Sequence, residues 1–341
     1  MPFYAFFTGL ILAIFSSVCA ASDLYDMLQR MSHADQNQNY QGTFILRKSD
    51  ELSSLRVTHG NDERGVWETM EALNGEPRKV IRRNNKVISI YPDDQLITIR
   101  HNKDNQSLHP QLPENLKQLD FFYSIEQLDD DRVANHRTLV IDLIPRDKLR
   151  YGYRYWVDKN TGMLLRCDLV DENQAVVEQM MFTSLDYLSE SPQQPVKISQ
   201  FEQYKQKSLD EAVIQITGQT AAKAVSDLQI ATVSWQVNIL PKGFMLTQSK
   251  LRHSSPPGLV DSQDSKQAQP DLLHMVYSDG LASVSVFIEK KQDETGYLQG
   301  ASSMGIVNAF GSAVDGYSVT VVGEVPMRTV QSMAKSTSRI Q

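Results

Sequence analysis

The chain has very little cysteine: two residues in 341, Cys19 and Cys167. Cys19 lies in an apolar N-terminal segment that reads as removable. One thiol then remains, so no intrachain disulfide can form and no zinc site of paired cysteines is available. Beyond residue 21 no apolar run approaches membrane length. The seven histidines (His33, His59, His101, His109, His136, His253 and His274) include no pair at helical metal-ligand spacing and no HExxH. A GxSxG elbow, a P-loop and a dinucleotide glycine fingerprint are also missing. Acidic pairs such as Asp93-Asp94, and the run Asp129-Asp130-Asp131, sit in turn-like contexts, which suits solvated turns better than a positioned acid and base. These absences lower the enzyme class well below a binding protein and call for no cofactor. Basic charge is short as well. The formal net charge is −7. All of the acidic excess lies before residue 231, and residues 231–341 carry acidic and basic side chains in equal number. Bulk nucleic-acid binding, which needs a basic field, is excluded, and the uneven charge suggests two units with different surfaces.

What is present begins with an export signal. The first 21 residues carry no charged side chain. Phe3 to Phe15 form an apolar h-region, followed by the small residues of Ser16 to Ala21. Cleavage is expected after Ala20, with Val18 and Ala20 at −3 and −1. Because no Lys or Arg precedes the apolar run, an uncleaved anchor is the alternative. Lipidation at Cys19 is disfavoured by Val18 before it. The expected organisation is a signal peptide over 1–20, a domain over 21–205, a polar linker over 206–229 and a second domain over 230–341.

A helix is expected to open the mature chain, capped by Asp23, with Leu24, Leu28 and Met31 on one face. Strand patterns follow at 43–46, 55–58, 66–70, 79–81, 87–91, 96–99, 139–144, 151–157, 164–170 and 176–182. Turn chemistry separates them, as at Asn84-Asn85 and Asn160-Thr161-Gly162. Short gaps of this kind require antiparallel neighbours, and so many twisted strands must curl. Residues 113–124 carry Leu116, Leu119 and Phe122 at helical spacing and can cover one face. In the second unit, strands are expected at 231–240, 284–288 and 318–322. A long loop is expected at 252–271, and a C-terminal helix through Val330, Met333, Ala334 and Thr337. The fold class is α+β, mainly antiparallel β, with a strongly curved, half-barrel-like sheet covering helices and a smaller β-rich C-terminal domain ending in a helix.

Three groups of residues invite a functional reading. Arg78, Lys79, Arg82, Arg83 and Lys86 crowd nine positions. They form either a solvated hairpin or, through Arg78, Arg82 and Arg83, a site for lipid headgroups or an acidic peptide. Ile141 and Leu143 alternate on one face, as do Leu165, Cys167 and Leu169; they are either core or the wall of an apolar ligand cavity. Trp235, Phe244 and Tyr277 suit a partner surface, where aromatic residues are enriched, or else pack a small core. Cys167 itself reads as a buried thiol acting as a small hydrophobe.

Several segments in order carry a resemblance. In the first unit they are Asn39-Tyr40-Gln41-Gly42-Thr43-Phe44, Leu55-Arg56-Val57-Thr58-His59, Arg78-Lys79-Val80-Ile81-Arg82 and Tyr153-Arg154-Tyr155-Trp156-Val157-Asp158. In the second they are Leu240-Pro241-Lys242-Gly243-Phe244, Tyr277-Ser278-Asp279-Gly280-Leu281-Ala282 and Val319-Thr320-Val321-Val322-Gly323-Glu324-Val325-Pro326. Together they resemble the RseB/MucB family of periplasmic sigma-E regulators over nearly the whole mature chain. The resemblance implies an N-terminal domain like LolA and LolB. It implies binding to the periplasmic part of the anti-sigma factor RseA, shielding it from regulated proteolysis. It further implies release on sensing lipopolysaccharide, lipid or mislocalised lipoprotein. It gives no catalytic residue. A periplasmic lipid or lipoprotein carrier is the competing reading, and self-association stays open.

Overall fold

Two antiparallel meanders are the basis of the first unit. A computed structural model describes residues 17–101, 112–113, 116–194, 196–209, 235–252, 272–291 and 297–340. The first meander runs through β1 (Asn39–Lys48), β2 (Glu51–Asp62), β3 (Gly65–Ala72), β4 (Lys79–Arg83), β5 (Lys86–Tyr91) and β6 (Leu96–His101). The second runs through β7 (Tyr123–Val133), β8 (His136–Pro145), β9 (Gly152–Asp158), β10 (Leu164–Val170) and β11 (Val176–Leu188). Strand β11 returns beside β1 and makes one sheet of the two. A short β12 (Lys205–Ser208) then adds parallel to β6, giving twelve strands. Tight turns set the reversals: Asn84 takes φ 49° between β4 and β5, a left-handed geometry that Asn tolerates. Register shifts at Thr43/Phe44, Leu128/Asp131 and Leu164/Arg166 add local twist where the sheet bends.

Helix α1 (Ser17–Ala34) lays Leu28 and Met31 against Ile141, Leu143, Tyr155 and Val157, with Leu119 of a short 3-10 turn completing that cluster. The helix starts before the expected Asp23 cap. Its Ala- and Ser-containing lead continues the helical backbone, so Asp23 is an interior residue. A second cluster joins Tyr40, Phe44, Val57, Trp156, Leu165 and Phe182. Strand β7 was not expected. Its residues from Glu126 to Arg132 are exposed, and the strand lies at the sheet edge, where no apolar face is needed. The run Asp129-Asp130-Asp131 is therefore strand, with Asp131 accepting the Trp156 indole N–H at 2.8 Å. The expected linker begins as strand β12, since the backbone of Lys205–Ser208 pairs with β6. Its remainder from 210, most of the expected 252–271 loop and the first sixteen residues lie outside the described residues.

The second unit contains β13 (Trp235–Val237), β14 (Met245–Arg252), β15 (Leu272–Ser278), β16 (Ser283–Lys290), β17 (Gly300–Met304), β18 (Val307–Val314), β19 (Tyr317–Gly323), α2 (Met327–Ser336) and β20 (Thr337–Arg339). Six strands form a sheet ordered β14-β15-β16-β19-β18-β17, and β13 pairs with β20 apart from it. Helix α2 presses Val330, Met333 and Ala334 into a core with Val284, Val286 and Val321. Val330 and Met333 each contribute roughly 1.5–3 kcal/mol through burial, and Ala334 less. Thr337 ends the helix rather than extending it, and its hydroxyl donates to the Met333 carbonyl at 2.8 Å.

Candidate functional site

The two units meet on a buried ion pair. Arg150 lies in the loop between β8 and β9, and Asp279 in the turn after β15; both side chains are fully buried. The Asp147 carboxylate folds the loop locally, accepting the Leu149 amide at 2.9 Å and Arg150 Nε at 3.2 Å. Arg150 Nη1 donates to Asp279, and Nη2 donates to Asp147 at 2.9 Å and to the Lys242 carbonyl at 2.8 Å. The other oxygen of Asp279 accepts the amides of Leu281 and Ala282, at 3.0 and 2.9 Å. Rings of Phe122, Tyr123 and Phe244 lie within 6 Å of the guanidinium carbon, at 5.2, 5.8 and 5.3 Å. Two glycine turns make the close approach possible. Gly243 has φ 90°, and a Cβ there would meet the Phe122 ring at 2.1 Å. Gly280 has φ 101°, and a Cβ there would press on Pro113. Further bonds cross the joint, from the Thr329 hydroxyl to the Leu149 carbonyl at 2.7 Å and from Asn308 to the Tyr151 hydroxyl at 3.2 Å.

Beside this joint is a cavity of about 370 Å³, a size that admits a small or chain-like ligand. Phe44, Tyr153, Cys167, Leu169, Met180 and Phe182 contribute to the wall from the first unit, and Leu281, Ile306 and Glu324 from the second. Burial raises the carboxyl of Glu178, with Lys48 opposing and Glu324 adding to the rise. Burial also pushes the Cys167 thiol up, so it stays protonated and serves as apolar wall. The site can take an apolar body with a polar end. Among the described residues no cluster can hold a metal ion.

Of the three groups of residues given a functional reading in the sequence, only Leu169 and Cys167 line this cavity. Ile141 and Leu143 are buried under α1. Leu165 does not share a face with Cys167 and Leu169 as alternation implied: the register shift at Leu164/Arg166 turns it into the Trp156 cluster. The basic run is no shared anion site. Arg78 is exposed, Arg82 lies 3.6 Å from Glu68, and Arg83 binds Asp62 through two bonds and Gln194 through a third. The Arg83 hydrogen bond holds the Asp62 carboxyl down at about 2. Trp235, Phe244 and Tyr277 are all buried in the C-terminal core, so none is an exposed partner anchor. Phe244 reaches the interdomain joint through Arg150. Arg150 and Asp279 themselves were missed. Asp279 stands in the sequence only within the Tyr277–Ala282 segment of the resemblance, and no local pattern marks Arg150.

A second buried polar group lies in the first meander. Tyr40 stacks on His59 with ring centroids 4.9 Å apart, and its hydroxyl points at Glu68, 3.5 Å away. Burial raises the Glu68 carboxyl from about 4.5 to about 7; Arg82 opposes the rise and Asp35 adds to it. The folded state thus holds this proton more tightly than the unfolded chain does. Its stabilising contribution is complete below about pH 4.5 and is lost as pH rises through about 7. Stability should fall by roughly 2–3 kcal/mol between pH 5 and 7.5, measured by urea denaturation, and Glu68→Gln should flatten that slope. An unchanged slope in the variant would place the proton elsewhere.

Comparison with known proteins accounts for both units and their order. Residues 23–203 match the model of the MucB/RseB N-terminal domain, and residues 229–338 match the MucB/RseB C-terminal domain. The sigma factor AlgU regulatory protein MucB of Pseudomonas aeruginosa is 29% identical over 330 residues, covering 93% of this chain and 91% of that protein. The sigma-E factor regulatory protein RseB of Escherichia coli K12 is 25% identical, covering 91% and 89%. The crystal structure of MucB in complex with MucA(peri) is 26% identical, covers 94% of this chain and all of that one, and has a TM-score of 0.64. With both domain models matched in order along most of its length, the chain belongs to the MucB/RseB family.

Proposed function

We propose that this chain is a periplasmic negative regulator of an envelope-stress sigma factor. It binds the periplasmic segment of an anti-sigma factor of the RseA/MucA kind and shields it from regulated proteolysis. The observation that carries this reading is the match of both domains, in order, to a family whose member MucB is solved with MucA(peri). The charge-free apolar leader supports export to the periplasm.

The cavity between the units supports lipid control of the same event. An acyl chain held by Leu169, Met180 and Ile306 touches both domains, so it biases their arrangement if it favours the partner-free one. The test uses the purified mature protein and the anti-sigma segment from the same organism. Calorimetry should give a one-to-one complex, the segment should become protease-resistant within it, and added lipopolysaccharide should restore cleavage. Absence of a complex would overturn the regulatory reading. A complex that lipid leaves intact would remove lipid control alone, and lipid uptake without any complex would favour a carrier.

A further inference from the structure

Proteins usually guard the open edges of their sheets with charge, proline or bulges, because unpaired backbone groups invite another strand. Among the described residues, three of the four edges of the two large sheets follow that practice. Strand β7 carries Glu126, Asp129, Asp130, Asp131 and Arg132, together with a register shift. Strand β12 carries Lys205 and Lys207. Strand β14 carries Lys250 and Arg252, with a shift between Leu246 and Gln248. Strand β17 is different. Its sequence Gly-Ala-Ser-Ser-Met has no charge and no proline, its ladder to β18 has no shift, and Ala301 to Met304 are all exposed.

The hairpin geometry says which backbone groups are open. Met304 and Val307 flank the two-residue turn at Gly305-Ile306, so they form a hydrogen-bonded pair. Alternation then makes Ser302–Ala309 and Gly300–Gly311 bonded pairs. The amide and carbonyl of Ala301 and Ser303 therefore point away from β18, toward the free edge. The flanking side chains are small, so a second backbone can approach to strand spacing. Met304, 80% exposed, offers one apolar contact at the end of that edge.

The geometry points to β17 as a strand-addition site for an extended peptide, and we assign it to the anti-sigma segment of the proposed function, on which this inference rests. Two observations choose that occupant over a second copy of the chain. An edge of five residues is far short of the roughly 1,000 Å² that a stable interface between copies needs. The β17–β18 turn also leads directly to the interdomain cavity, where Ile306 forms part of the wall. A tethered peptide can use both surfaces, adding main-chain bonds on β17 to side-chain contacts in the cavity.

The test uses the full mature chain and the anti-sigma periplasmic segment from the same organism. Amide hydrogen exchange read by NMR should show Ala301 and Ser303 protected in the complex, with Ser302 protected already in the free protein. Ser303→Pro removes one edge donor and leaves the β18 ladder intact. It should weaken binding about tenfold relative to Ser303→Ala, which loses the same hydroxyl bond to Asn308 but keeps the edge amide. Native binding with unprotected amides at 301 and 303 overturns the strand-addition site and leaves the regulatory reading standing. Full-strength binding by a folded Ser303→Pro chain does the same. No binding by the native chain overturns both. If Ser303→Pro does not fold, the exchange measurement on the native complex decides alone.

Discussion

Arg150→Ala should separate the two domains energetically, at a cost of about 3–5 kcal/mol. The substitution leaves the buried Asp279 carboxylate without its cation, with only the Leu281 and Ala282 amides as partners. Removing one partner of a fully buried pair costs far more than the pair itself contributes, because the remaining charge is desolvated and unanswered. Arg150→Lys should recover little. A single ammonium cannot reach Asp147, Asp279 and the Lys242 carbonyl in the fork that the guanidinium supplies. The double variant Arg150→Ala/Asp279→Ala should cost less than the sum of its parts. Urea denaturation of the native chain should follow one transition, and that of Arg150→Ala two. Retention of a single transition at native midpoint would show that the joint is held by other contacts, such as Thr329 to Leu149.

Much of the fold is legible in the sequence because turn chemistry and alternation act locally. Asn84-Asn85 and Asn160-Thr161-Gly162 mark reversals that the chain makes, and the strands between them are where β-branched residues cluster. Strand β7 escapes because an edge strand buries little and so needs no apolar rhythm. The site is legible only in fragments. A one-residue register shift moves Leu165 to another cluster while leaving Cys167 and Leu169 on the cavity wall, and no side-chain pattern announces that shift. Arg82 and Arg83 look like free cations until the cross-strand register brings Glu68 opposite one and the β2–β3 turn brings Asp62 to the other. Arg150 and Asp279 are 129 positions apart, so their pairing depends on how the units dock and not on either local sequence. The resemblance held motifs whose physical role the structure explains. Leu-Pro-Lys-Gly-Phe and Tyr-Ser-Asp-Gly-Leu are the two glycine turns that dock against Phe122 and Pro113.

A chain ending at residue 229 should bind the anti-sigma segment about a hundredfold more weakly than the full mature chain, a loss of about 2.8 kcal/mol, and should leave it open to protease. The first domain alone keeps the curved sheet and the cavity wall formed by Leu169, Tyr153 and Met180. It loses Leu281, Ile306 and Glu324, which form the opposite side, and it loses the unguarded edge of β17. Partner contact therefore goes down by more than an area count suggests, because a peptide bridging two surfaces gains from each only while the other is engaged. The truncation also bares Phe122 and Tyr123, so the shortened chain should carry Phe122→Ser to keep it monomeric, with circular dichroism checking that the sheet persists. Binding is read by calorimetry and protection by timed proteolysis of the segment. If residues 22–229 bind and protect as well as the full chain, the partner surface lies wholly on the curved-sheet domain, and the joint at Arg150 serves stability alone.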